Sequence, residues 1–222
     1  SELPDGFILV SDHQTEGRGR LERHWEAPPS KNLLFSVLLH PNWPIERHQL
    51  VTPALAIATV EVLERLGLRA TVKWPNDVMV EREGEKKIAG ILAEYVKQEN
   101  PVLVVGMGLN IEWPQQEDPA PPNSTSLKAC GIEKDRWKML IEILKNFEQR
   151  LIEISSEKGT STFRQAYTAK SSTIGNQVKV EKSDGDIVGK AIYIEEDGSL
   201  IIENENGTTS ITAGDVIHLR KL

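Results

Sequence analysis

The chain has 222 residues, a net charge of −7 and a single cysteine, Cys130. That length allows one large domain, or a medium one with a small one attached, around a core that needs no covalent staples. The acidic balance argues against a duplex-binding face, the lone cysteine excludes a disulfide scaffold and fits a reducing cytosol, and no apolar run reaches the ~18 residues of a membrane span.

Residues 6–11 (Gly-Phe-Ile-Leu-Val-Ser) read as a buried strand. Residues 12–32 read as a long polar loop, and 33–40 as an apolar strand stopped by Pro41 and Pro44. A largely buried helix follows, with Leu50, Ala54, Leu55, Ala58, Val62 and Leu66 on one face and Gly67 as its C′ residue. Pro53 belongs either to its first turn, capped by Thr52, or to a kink in a longer helix. Short strands at 70–74 and 77–81 are broken by Pro75. Long strands at 86–97 and 102–111 flank the turn signal Asn100–Pro101 and are expected to pair antiparallel. The proline-rich stretch 112–122 is a surface loop. An amphipathic helix spans 134–154, with Trp137, Leu140, Ile141, Leu144, Phe147, Leu151 and Ile152 on one face, and a short third helix covers 162–169. From Ile174 onward Asp184–Gly185, Asp197–Gly198, Asn206–Gly207 and Gly214–Asp215 recur about every ten residues, the pattern of hairpins in a small all-β unit with a boundary near Ser172.

Four segments carry residue types suited to chemistry. In 14–25 (Gln-Thr-Glu-Gly-Arg-Gly-Arg-Leu-Glu-Arg-His-Trp) two glycines let a ligand approach the backbone, and three arginines can point guanidinium forks at phosphate or carboxylate oxygens. Trp25 could cover an apolar ligand or stack on a base. Composition alone favours a solvated loop, although the four basic and four acidic residues of 12–31 do not make a simple charge patch. In Lys73-Trp74-Pro75-Asn76-Asp77 the proline fixes a bend that puts Asn76 and Asp77 at a sharp corner, where they serve a ligand or merely satisfy the turn. Strict alternation along 86–94 groups Lys87 with Ala89, Ile91 and Ala93, and Ile88 with Gly90, Leu92 and Glu94. A lysine on an apolar face needs an anionic partner or must snorkel to water. Gly106-Met107-Gly108-Leu109-Asn110 is not a dinucleotide fingerprint, because Trp113–Pro114 stands where the helix should begin; glycines inside a strand mark close approach of a ligand or another backbone. Cys130 reads as a small core residue, and the five histidines show no metal-ligand spacing.

Taken in this order, Gly17-Arg18-Gly19-Arg20 with Arg23 and Trp25, Lys73–Asp77, Lys87-Ile88-Ala89-Gly90-Ile91-Leu92, Gly106–Asn110, Thr125-Ser126-Leu127 and the C-terminal β unit resemble the biotin protein ligases over nearly the whole chain. The resemblance implies an α+β fold: a mixed β-sheet backed by helices in a catalytic domain over 1–172, then a small SH3-like β-barrel over 173–222. It implies that ATP, with Mg²⁺, activates biotin as biotinyl-5′-AMP, and that a lysine of a biotin carboxyl carrier protein then takes the biotin. By resemblance Lys87, Arg18, Arg20 and Asp77 are catalytic. Gln14, Gly17, Arg18, Gly19, Arg20, Lys87, Gly90, Leu92 and Gly106 bind biotin. Arg20, Arg23, Trp25, Asn76, Lys87 and Asn110 bind the nucleotide, and the metal ligands are unassigned.

The family carries a Ser-Thr-Asn-like segment and a helix ahead of the first strand matched here, and the chain is expected to lack that edge of the domain. No counterpart of the helix-turn-helix of repressor-type members is present either, so no nucleic acid is expected as a partner. A cytoplasmic enzyme with no membrane association is expected, with homodimerisation left open. Two alternatives stay open. One is a lipoate–protein ligase, although its Arg-Arg-x-x-Gly-Gly-Gly stretch is missing. The other is a non-catalytic biotin-binding module, for which Lys87 and Asp77 would serve no purpose.

Overall fold

The computed structural model describes residues 3–96, 102–115, 120–181, 185–212 and 214–219. The expected turn at Asn100–Pro101, residues 116–119 of the proline-rich loop and Asp184 lie outside them. Strands β1 (Phe7–Ser11), β2 (Leu33–Leu39), β3 (Ala70–Lys73), β4 (Asp77–Glu81), β5 (Glu85–Val96) and β6 (Val102–Leu109) form one sheet in the order β1-β2-β6-β5-β4-β3. Helices α1 (Val51–Arg65), α2 (Arg136–Ser155) and α3 (Glu157–Lys170) back it, with α1 packed over β3, β4 and β5. Strands β7 (Gln177–Glu181), β8 (Ile187–Ile194), β9 (Leu200–Asn204), β10 (Gly207–Ile211) and β11 (Asp215–His218) form a second sheet in the order β10-β9-β8-β7-β11.

Every ladder in both sheets is antiparallel. β2 and β3 point the same way, but α1 carries the chain past β6, β5 and β4, so no parallel ladder forms between them. Among the described residues parallel pairing is limited to single bridges, Val72 with Ser171 and Lys87 with Ser124. The C-terminal unit expected as a barrel is a five-stranded sheet with β10 and β11 at its edges.

Helix α1 is buried on nearly all sides because it lies between the sheet and α2, and its run of Ala, Leu, Ile and Val supplies apolar atoms in every direction. It follows a 3₁₀ turn at Ile45–Leu50, so Pro53 falls in its first turn; the expected Thr52 cap is not formed. Helix α2 begins where the Asp135 carboxylate accepts from Trp137 N and Lys138 N at 3.0 and 2.9 Å. Strand β1 departs from its reading as a buried strand: Ile8 is 39% and Leu9 62% exposed. It pairs only with β2 at the sheet edge, and the helices cover the other end of the sheet.

The second sheet docks where the Lys73–Asp77 corner leaves β3. Trp74 Nε1 donates to Gly198 O at 3.1 Å and Trp74 N to Thr173 Oγ1 at 3.0 Å. His218 Nδ1 lies 3.0 Å from Glu85 Oε2. One continuous apolar core runs through both units.

Candidate active site

The loop before β2 closes on itself. Gly19 N donates to Arg23 O at 2.7 Å, Arg23 N to Arg20 O at 3.1 Å and Trp25 N to Gly17 O at 2.9 Å. Gly17 is obligatory for backbone reasons, since a Cβ there would run into the Trp25 carbonyl. The turn at Arg20–Glu22 passes through Leu21 at φ 52, and Leu21 stays exposed. The closed loop thereby presents Arg18, Arg20, Arg23, His24 and Trp25 to one cavity.

The cavity floor is bare backbone. Gly90 of β5 and Gly108 of β6 are direct register partners. The Trp25 indole lies over both: a Cβ at Gly90 would stand 2.8 Å from its Cζ3, and one at Gly108 2.6 Å from its Cζ2. Two glycines facing each other across adjacent strands leave a slot for a flat ring that any larger residue would fill. Gly108 was not among the expected binding residues; its register with Gly90 was the signal that could have found it.

Lys87 reaches this floor through an irregularity that alternation does not foresee. Val78 pairs with Ala89 but Met79 with Lys87, so Ile88 has no partner in the ladder. This β-bulge turns Lys87 onto the face of Gly90, Leu92 and Glu94, and corrects the expected grouping with Ala89 and Ile91. Lys87 Cε would stand 3.2 Å from a Cβ at Gly90. The segment 123–125 braces the bulge, with Lys87 N donating to Asn123 O at 2.7 Å and Thr125 N to Lys87 O at 2.9 Å. The ammonium sits 2.6 Å from Asp77 Oδ1 as an ion pair without hydrogen-bond alignment, and 5.4 Å from the Trp25 ring centre.

The cavity holds about 560 Å³. Of the expected site residues, Gln14, Arg18, Gly19, Arg20, Arg23, Trp25, Asn76, Asp77, Lys87, Gly90, Leu92 and Gly106 line it. Gly17 and Asn110 do not. Asn110 is 3% exposed, its Nδ2 donates to Thr125 O at 2.9 Å and its Oδ1 accepts from Asn32 at 3.1 Å. It therefore fastens the strand end to the segment that braces Lys87. Asn76 binds across to β5, donating through Nδ2 to Ile91 O at 2.8 Å.

Anions facing the cations were missed. Glu94 holds Arg18 at 2.9 Å, and Asp215, at the start of β11, touches Arg23 and lies 3.8 Å from Arg20. Burial draws the Arg20 pKa below the ordinary arginine value, and the charges of Asp215 and then Asp77 oppose the fall. Among the described residues no cluster of three or more His, Cys, Asp or Glu is placed to hold a metal ion.

A cavity with a cationic wall, a flat glycine floor and a lysine–aspartate pair between them defines a protein built to hold anionic reactants against a planar group. The match to known families narrows this. Residues 1–112 match the biotin/lipoate A/B protein ligase family, and residues 173–219 match the biotin protein ligase C-terminal domain. The chain belongs to the biotin/lipoate A/B protein ligase family.

The bifunctional ligase/repressor BirA of Bacillus spizizenii is 31% identical over 97% of this chain and 67% of its own length. The biotin–[acetyl-CoA-carboxylase] ligase of Mycobacterium tuberculosis is 35% identical over 97% of this chain and 80% of its own. The biotin protein ligase of Aquifex aeolicus in complex with biotin and ATP superposes with a TM-score of 0.79 at 31% identity, covering 100% of this chain and 92% of that one.

Proposed function

We propose that this protein is a biotin–protein ligase that condenses biotin with ATP to biotinyl-5′-AMP, releasing pyrophosphate, and then passes biotin to a lysine of a biotin carboxyl carrier protein, releasing AMP. One observation carries the reading: the arginine loop and the Lys87–Asp77 pair, distant in sequence, share a single cavity. Attack of a carboxylate on a phosphate brings two anions together, and fixed cations in a partly closed site lower that barrier.

Lys87 lies between the glycine floor and the Asp77 carboxylate, where it can neutralise the biotin carboxylate and the α-phosphate together. Arg18 and Arg20 stabilise the charge that develops on the phosphate. Gln14, Gly19, Gly90, Leu92 and Gly106 surround the biotin, with Gly17 fixing the loop that carries Gln14 and Gly19. Arg23, Trp25 and Asn76 serve the nucleotide, and Asn110 supports that wall from behind. In the second step Asp77 orients the incoming amine and takes its proton, while the carboxylate oxygen leaves with AMP. Asp77, Glu94 and Asp215 are each held by a positive partner, so the Mg²⁺ of ATP would draw its ligands chiefly from phosphates and water. We assign the reaction to a catalytic domain over 1–172 and place the enzyme in the cytoplasm. No helix among the described residues is long and apolar enough to cross a membrane.

Lipoate is the rival substrate, since the family embraces both ligases. The match of 173–219 to the C-terminal domain of biotin protein ligases favours biotin. Pyrophosphate–ATP exchange with each acid separates them. Exchange that depends on biotin is expected; exchange with lipoate alone would overturn the assignment.

A further inference from the structure

Nothing in the reaction above assigns chemistry to the second sheet, yet Glu181, Asp215, Val216 and Ile217 reach the cavity. We infer that Asp215 is a positioning residue that holds the arginine loop over the reactants. This rests on the ligase reading and extends it to a residue of β11.

Glu181 and Asp215 face each other across the β7–β11 ladder. The Glu181 carboxylate is taken by Lys179 at 3.0 Å, which leaves Asp215 to meet the loop. Its carboxylate touches Arg23 and stands 3.8 Å from Arg20, while the carbonyl of Gly214 accepts from Arg20 at 3.1 Å. The arginines flanking Leu21 are therefore tied to one corner of the second sheet, whereas Arg18 is tied to Glu94 of β5.

Apolar packing does not fix this turn, because Leu21 at its tip is exposed. The anchor is itself held: His218, at the other end of β11, pairs with Glu85 of the catalytic sheet. A guanidinium has five donors, so an arginine that spends one or two on Asp215 keeps others for phosphate. Ordering the loop beforehand reduces the entropy lost when ATP binds. The consequence is specific: loss of the Asp215 charge weakens use of ATP far more than use of biotin.

The experiment compares wild type, Asp215→Asn, Asp215→Glu and, as a control elsewhere on the same sheet, Asp186→Asn. Biotin-dependent pyrophosphate–ATP exchange gives KM for each substrate, and limited trypsin digestion with mass spectrometry gives the rate of cleavage after Arg20 and Arg23. Asp215→Asn is expected to raise the KM for ATP about tenfold, with kcat and the KM for biotin changing about twofold or less, and to speed loop cleavage about tenfold. Asp215→Glu recovers most of both, and Asp186→Asn matches wild type. An unchanged or lowered KM for ATP, an equal rise in both KM values together with a fall in Tm, or unchanged loop cleavage would each overturn the inference. Absence of exchange in wild type sinks the ligase reading instead, and the cleavage rates then decide the role of Asp215 alone.

Discussion

Replacing Lys87 by Gln separates catalysis from folding. The ammonium and Asp77 are 2.6 Å apart, but their side chains remain 33% and 26% exposed. A pair so open to water contributes at most ~1 kcal/mol to stability. In a chain of this size that corresponds to a fall in Tm of about 2–4 °C. The catalytic cost is larger, because no other ammonium lines the floor near Gly90 among the described residues; Lys73, the second lysine on the cavity wall, belongs to the β3 corner. Removing one preorganised group that meets developing charge typically lowers kcat by ~10²–10³, or about 2.7–4 kcal/mol. Differential scanning fluorimetry and biotin-dependent exchange therefore give divergent answers for Lys87→Gln: a folded protein with exchange near or below a hundredth of wild type. Exchange above a tenth of wild type in a folded variant would refute the role given to Lys87.

Two further outcomes follow from the geometry. Glu85 has its pKa lowered chiefly by its hydrogen bond with His218, helped by Ser172 and Lys73 and opposed by burial. Its contribution to stability is therefore complete above the ordinary glutamate value of 4.5 and is lost as pH falls through the lowered one. Tm measured against pH should fall more steeply below about pH 4.5 in wild type than in Glu85→Gln, and parallel curves would contradict the pairing. Gly108→Ala places a methyl group 2.6 Å from Trp25 Cζ2, so the indole is expected to leave the floor. The tryptophan emission then shifts to the red, and the shift disappears in a Trp25→Phe background. Identical emission spectra would show that the ring does not rest there.

Much of the fold was readable because its signals are local. Xaa–Gly pairs marked the C-terminal hairpins, and the run from Ala54 to Val60 announced a largely buried helix. The candidate site was readable as four separated segments, residues of which line one cavity. What escaped depends on tertiary contact. The bulge at Ile88 reverses the face on which Lys87 lies, and strict period-two alternation has no means of registering one unpaired residue. β1 looks like a core strand from its Phe-Ile-Leu-Val run, but its exposure is decided by which end of the sheet the helices cover. Gly214–Asp215 read only as a turn, since the meeting of Asp215 with Arg20 and Arg23 requires nearly two hundred residues of chain to fold back on the loop. Asn110 was expected at the nucleotide by resemblance, and its buried side chain bonds Thr125 and Asn32, contacts that no local pattern announces.

The central claim is that the carboxylate of biotin attacks the α-phosphate of ATP in the cavity shared by Lys87 and the arginine loop. Biotin labelled with ¹⁸O in its carboxylate, incubated with ATP, the protein and a carrier domain, tests it directly by mass spectrometry of the nucleotide product. One ¹⁸O in AMP, with unlabelled pyrophosphate, is the expected result. Label in phosphate or pyrophosphate, unlabelled AMP, or ADP as the product would contradict the claim.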